Sequence, residues 1–281
     1  MAESKKFTTG LVAPKVRLEP AWWFVFREDE LLIEPESSQM KIPCLLDVAE
    51  LKLPILAEYY IGRLGGRHSY AVNVAKRTPP PEGMIFEDLR QIYGLTDEDL
   101  FWVAGRAAQI IHWDNMHEYC GSCGAKTKMH PTERAKECTQ CSLLHFPRLN
   151  PAIIVLVERG PEMLLARSRR FSTPIYSVLA GFVEPGETLE EAVIREVHEE
   201  TGVGVKDIRY FGSQSWPFPH SLLIGFTATY ACGQITMGDG ENIDAGWFTA
   251  DNLPSLPSKM SIARKLIDWF LEKQVTTKTC A

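Results

Sequence analysis

Apolar and polar positions change period several times along the chain, and the changes mark out its elements. Near the start, the apolar runs at 22–26 and 70–74 are strand-like, whereas the spacing at 86–93 and 97–113 predicts helices. KRTPPPEG at 76–83 is a loop signal between them. Further on, PAIIVLV, the turn ERGPE and then MLLA predict a hairpin, and IYSVLAGF a further strand. Strand-like runs follow at 208–213, 222–230 and 245–248. An amphipathic helix is expected over 258–272, with Ile262, Leu266, Trp269 and Phe270 on one face. The closing QVTTKTCA reads as a frayed tail. No internal repeat is evident. These limits suggest an N-terminal α+β accessory domain over 1–115, a cysteine segment over 116–147, a strand-and-helix domain over 148–272 and a tail over 273–281.

Composition narrows the class. The 281 residues are 45% hydrophobic and 23% charged, with a net charge of −6. That balance argues against a mainly electrostatic nucleic-acid binder and leaves room for a local basic patch. No apolar run approaches the roughly 20 residues that span a bilayer, and MAESKKFTTG is not a secretory signal. A cytoplasmic protein is expected. Seven cysteines, four of them in two CxxC pairs, suit a reducing compartment and a metal site better than a disulfide framework.

The segment GFVEPGETLEEAVIREVHEETGV, 181–203, holds the candidate chemistry. Thr188 and Glu191 form a capping box that predicts a helix start, and Gly202 predicts its stop. Leu189, Ala192, Val193 and Val197 define an apolar face. At about 100° per residue, Glu196 and Glu200 project near the centre of that face, with Glu199 on its flank. Carboxylates about 5 Å apart repel by about 3 kcal/mol at an effective dielectric of about 20. Arg195 is one charge against three, so a divalent cation is the better compensator. Magnesium and manganese are the hard cations that prefer such oxygens.

These residues carry a resemblance. Gly181, Glu187, Arg195, Glu196, Val197, Glu199, Glu200, Gly202 and Val203 match every position of the Nudix box, G-x5-E-x7-R-E-U-x-E-E-x-G-U, where U is a bulky aliphatic residue. Resemblance to Nudix hydrolases implies an α/β fold: a Nudix α/β/α sandwich preceded by a zinc ribbon and the N-terminal α+β domain. It also implies hydrolysis of a diphosphate linked to a nucleoside. Glu196, Glu199 and Glu200 would hold Mg2+ or Mn2+, with Arg195 and Glu187 structural. Glu200 is the first candidate to take the proton of the attacking water; a role as ligand alone is its alternative.

SQSWPFPHSLL, 213–223, reads on composition as a strand and a bend held by two prolines, with Trp216 and Phe218 as core aromatics. It is similar to the SQPWPFPxS motif of the NADH pyrophosphatase and NAD-capped RNA hydrolase (NudC-type) branch. Ser213, Gln214, Trp216, Pro217, Phe218, Pro219 and Ser221 match, and Ser215 replaces a proline. The resemblance implies NAD(H) as substrate, yielding nicotinamide mononucleotide and AMP, and NAD caps on RNA 5′ ends. The alternative within the family is a broader dinucleotide or ADP-ribose pyrophosphatase. A rival from another class is an RNA-binding module with a retired Nudix fold. The implied substrate residues are Phe182 as a stacking ring, Gln214, Trp216, Phe218, Ser221, Ala263 near the base, and Phe146 where the family often has tyrosine. Glu241 in ENIDAGWF reads as a further metal ligand or as a loop glutamate. A homodimer is implied by the family.

Cys120, Cys123, Cys138 and Cys141 spell C-x2-C-x14-C-x2-C, the ligand set of a tetrahedral structural zinc ion. Cys44, Cys232 and Cys280 show no partner pattern, and His117, His130 and His145 flank the ribbon. Lys126, Lys128, Arg134, Lys136 and Arg148 against Glu133 and Glu137 leave a local net charge of +3. This is either a patch for an RNA phosphate backbone or a solvated face.

Overall fold

The computed structural model describes residues 6–169, 173–238 and 240–279, and the chain divides into two units, Met1–Arg148 and Leu149–Ala281. In the first, β1 (Phe7–Thr9), β2 (Ala21–Arg27), β3 (Glu30–Pro35), β4 (Met40–Lys41), β5 (Cys44–Leu45), β6 (Ile55–Leu64), β7 (Arg67–Val74) and β8 (Ile85–Asp88) form a mixed sheet, which helix α1 (Glu98–Met116) follows. The run AWWFVF is apolar throughout because β2 is central. It pairs antiparallel with β3 and β5 and parallel with β7, and Trp23, Phe24, Val25 and Phe26 are fully buried. The helix expected at 86–93 does not form. Its first residues join β8, paired with β3, and turns follow; the open edge of β3 overrides a short local period. Asp97 caps α1 by accepting the N–H of Leu100.

The ribbon belongs to the same unit: β9 (Thr127–Met129), β10 (Lys136–Cys138) and β11 (Leu144–His145) form a three-stranded antiparallel sheet. Two of its cations are structural. Lys136 is buried, with Nζ 2.7 Å from Asp114 Oδ1 and 3.0 Å from Asp114 O in the last turn of α1, where the helix dipole favours a cation. Arg134 donates to the carbonyls of Gly10 (2.8 Å) and Tyr60 (3.3 Å). Lys128 pairs with Glu137 at the surface. The five basic residues counted in the sequence are therefore not one free patch.

In the second unit the order is β12 (Asn150–Arg159), β13 (Glu162–Ser168), β14 (Leu179–Phe182), α2 (Leu189–Thr201), β15 (Gly204–Trp216), β16 (Ser221–Cys232), β17 (Asn242–Thr249) and α3 (Ile262–Thr279). The sheet runs β15-β16-β12-β13-β17, with β14 also on β12. Alternation along β12 builds two cores. Ile153, Val155 and Val157 lie under Ala192, Val193 and Val197 of α2. Ile154 and Leu156 lie under Ile262, Leu266, Ile267 and Phe270 of α3. The result is an α/β/α sandwich. Helix α3 continues through the segment expected to fray, and Cys280 lies outside the described residues. No helix among the described residues is long and apolar enough to cross a membrane.

The two units share one pairing scheme, although the sequence shows no internal repeat. In the first, β2 pairs with β3, β5 and, in parallel, β7; β6 pairs with β7 and β3 with β8. In the second, β12 pairs with β13, β14 and, in parallel, β16; β15 pairs with β16 and β13 with β17. A helix closes each, α1 and α3. Strands β1 and β4 have no counterpart in the second unit, and between β5 and β6 a single 3-10 turn, Val48–Leu51, stands in the place of α2. Its capping box, Asp47 with Glu50, matches that of Thr188 with Glu191. Lys52 in the left-handed region then ends it, and Pro54 follows. A capped turn thus stands there, without the metal-site carboxylates that α2 carries.

Asp114→Ala leaves Lys136 buried without its counter-ion, and is expected to destabilise the fold by about 3 kcal/mol. Lys136→Met, which removes the charge itself, is expected to be milder; urea denaturation of the two variants checks the order.

Candidate functional site

Helix α2 starts and stops where its sequence predicts. Thr188 accepts the N–H of Glu191 while Glu191 accepts that of Thr188, and Gly202 closes the helix at φ 69°. Burial sorts the three glutamates as the apolar face requires: Glu200 is 4% exposed, Glu196 is half-buried and Glu199 is exposed.

Arg195 gathers the cluster. Its Nε donates to Glu187 Oε1 (2.7 Å) and its Nη2 to Glu187 Oε2 (2.8 Å) and to the carbonyl of Phe182 (3.0 Å). Its Nη1 lies between Glu196 Oε1 (2.8 Å) and Glu199 Oε2 (3.0 Å). The N–H of Glu184 also donates to Glu187 (3.0 Å). The hydrogen bonds from Arg195 first, and that N–H second, hold the Glu187 carboxyl down at about 2. Glu196 moves the other way. Burial pushes it up against the pull of Arg195, and the charges of Glu199 and Glu241 add to the push, which brings Glu241 into the same field. Gly181 leaves room for the Glu196 carboxylate: a Cβ there would lie 1.9 Å from Glu196 Cδ. Glu200 points elsewhere, its Oε2 accepting from Asn242 Nδ2 at 2.8 Å. Asn242 carries no mark in the sequence that would single it out.

Two residues expected to touch substrate also serve the frame. The side chain of Gln214 donates to Met260 O (2.8 Å) and accepts the N–H of Ile262 (2.6 Å), so both its polar ends hold the start of α3. Ala263 is buried in the core beneath that helix. The other positions are open or partly so. Phe182 is 53% exposed, and Phe146, in the first unit, is also exposed. Trp216 and Phe218 form an edge-to-face pair with centroids 5.0 Å apart. Ser221 is buried opposite Trp216 in the β15–β16 ladder. Ser215 sits in the same ladder opposite Leu222, and the bend comes after it, at residues 217–220.

In the ribbon, Cys120, Cys123, Cys138 and Cys141 bring their sulfurs within 4.8 Å of one another, the one such group of metal-binding side chains among the described residues. The nearest S···S distances, 3.4 and 3.7 Å, approach the roughly 3.8 Å of a tetrahedron with bonds of about 2.3 Å. The N–H groups of Cys141 and Gln140 draw the Cys138 thiol down to about 6, while hydrogen bonding among the four sulfurs pushes Cys123 and Cys141 up. The donor set fits a structural zinc ion with no open position. His117 is engaged at the end of α1, its Nδ1 2.7 Å from Trp113 O.

Three family models match successive parts of the chain: the NADH pyrophosphatase-like rudimentary NUDIX domain over residues 20–113, the NADH pyrophosphatase zinc ribbon domain over 116–146 and the NUDIX domain over 147–270. Among curated proteins, the NAD-capped RNA hydrolase NudC of Pseudomonas fluorescens is 48% identical over 223 residues, 79% of this chain and 80% of its own. The protein of that name from Stutzerimonas stutzeri is 47% identical over 80% of this chain and 81% of its own. That from Pseudomonas entomophila is 40% identical over 97% and 96%.

Gly181→Ala is expected to displace the Glu196 carboxylate and lower NADH hydrolysis by about 100-fold, as a steady-state assay would read. Glu187 titrates lower in the folded chain than its ordinary 4.5, so its ionised form stabilises the fold. That contribution is full above pH 4.5 and lost as pH falls toward about 2. Glu187→Gln is thus expected to be less stable than the native protein at pH 7. The gap should close in denaturation curves taken between pH 4.5 and 2.

Proposed function

Because this chain belongs to the NudC family of Nudix hydrolases, we propose that it hydrolyses the diphosphate of NAD(H) to nicotinamide mononucleotide and AMP, and removes NAD caps from RNA 5′ ends to leave a 5′-monophosphate. The observation that carries this reading is the carboxylate cluster of α2, gathered by Arg195 behind a glycine that admits Glu196. Glu196, Glu199, Glu200 and Glu241 are the residues that would hold Mg2+ or Mn2+; an all-oxygen, anionic donor set suits those ions. Such a cation, when bound, neutralises the diphosphate and acidifies the attacking water. Glu200 takes that water's proton. Arg195 and Glu187 keep the helix and its preceding loop in register. The exposed ring of Phe182 offers a face to a base or nicotinamide, and Trp216 with Phe218 sets an aromatic pair beside Ser221. Phe146, where the family often has tyrosine, is the further substrate residue that the resemblance implies. The family resemblance supports a homodimer, and two CxxC pairs suited to a metal site support a reducing compartment such as the cytoplasm.

The test is hydrolysis of NADH and of a short NAD-capped RNA with manganese, by the native chain and by Glu200→Gln. The native protein is expected to release nicotinamide mononucleotide from at least one substrate, and the variant to be slower by about 100-fold or more. Folded, metal-loaded protein that turns over neither substrate would overturn the reading.

A further inference from the structure

Strand β17 does not keep one register against β13. Asp244 faces Arg167 and Asn242 faces Ser168, so Ile243 is an extra residue, a β-bulge. In a regular strand, residues two apart share a face. The neighbours show which face Asn242 would otherwise take. Ala245 and Trp247 pack on the α2 side, and Phe248 packs on the α3 side. Asp244 belongs to the α3 side, where it accepts the hydroxyl of Tyr176. Without the bulge Asn242 would follow it there. With the bulge, Asn242 turns to the α2 side and its Nδ2 reaches Glu200 Oε2 at 2.8 Å. The segment is pinned just before, where the N–H of Arg169 donates to Glu241 O at 2.9 Å.

We propose that Asn242 is a positioning residue for Glu200, delivered by the bulge to orient the buried carboxylate. The inference rests on the reading of the α2 carboxylates given above. The last torsion of a glutamate is broad and two-fold, so the plane of the carboxylate is set by what it touches. At 4% exposure, Glu200 has little access to water that could replace a lost donor. Asparagine suits the position chemically. It donates without cancelling the negative charge that attracts a cation, as lysine would, and without the repulsion an aspartate would add.

The test compares the native full-length chain with Asn242→Leu, a near-isostere that lacks the donor, with Glu200→Gln and with the double variant. Removing a partner of this kind changes metal affinity or activity by about 10–100-fold. Asn242→Leu is therefore expected to lower kcat on NADH by about tenfold or more with KM little changed. Mn2+ binding, read as free Mn2+ by electron paramagnetic resonance, is expected to weaken by about tenfold. In the Glu200→Gln background, Asn242→Leu should weaken Mn2+ binding no further. Native Mn2+ affinity and kcat in Asn242→Leu overturn the proposal, and so does a drop in melting temperature with Mn2+ affinity intact. An equal loss in both backgrounds also overturns it, because Asn242 would then act other than through Glu200. If Asn242→Leu does not fold, Asn242→Ala takes its place in each comparison. Should Glu200→Gln itself keep native turnover and Mn2+ affinity, the carboxylate reading fails and takes this inference with it. An impaired Glu200→Gln beside an unaffected Asn242→Leu rejects the positioning role alone.

Discussion

Arginine presents five N–H donors in one planar fork, and at Arg195 all five directions meet an acceptor: two oxygens of Glu187, one each of Glu196 and Glu199, and the carbonyl of Phe182. The last residue of β14, the loop after it and the middle of α2 are thereby joined through a single side chain. Carboxylates crowded on one helix would otherwise push apart, each pair by about 3 kcal/mol. Arg195 answers that repulsion at two of them, while Asn242 holds the third from a different strand. Lysine, with one compact ammonium, has no equivalent geometry.

What the sequence shows well is whatever short spacing determines. The capping box of α2, its glycine stop, the inward projection of Glu196 and Glu200, and the four-cysteine chelate all follow from residues a few positions apart, where helix pitch or ligand geometry sets the distance. That β12 is buried is also visible, as an unbroken apolar run; its division between two cores appears only in the structure. The parts that stay hidden depend on distant pairing. Gln214 acts on residues 46 and 48 positions away, Asn242 on one 42 away, and the latter only through a single extra residue in β17. Residues 86–93 carry a plausible helical period and yet begin as a strand, because β3 offers them an edge.

Charge shows the same division. Counting basic residues near the ribbon finds a local excess, but counting does not distinguish a solvated ammonium from one inserted under a helix end. Lys136 and Arg134 serve the fold of the first unit, through Asp114, Gly10 and Tyr60. The excess that remains for a nucleic acid is correspondingly smaller.

The shared pairing scheme of the two units has a consequence for how such chains are catalogued. Side chains have diverged until no repeat can be read along the sequence, while the ladder of hydrogen bonds has kept its connectivity, down to a residual capped turn at Val48–Leu51. Reading the letters of this one chain passes over the first half as unrelated to the second. Comparing which strand lies beside which recognises a sibling, one in which the ancestral blueprint outlasted the trade it was drawn for.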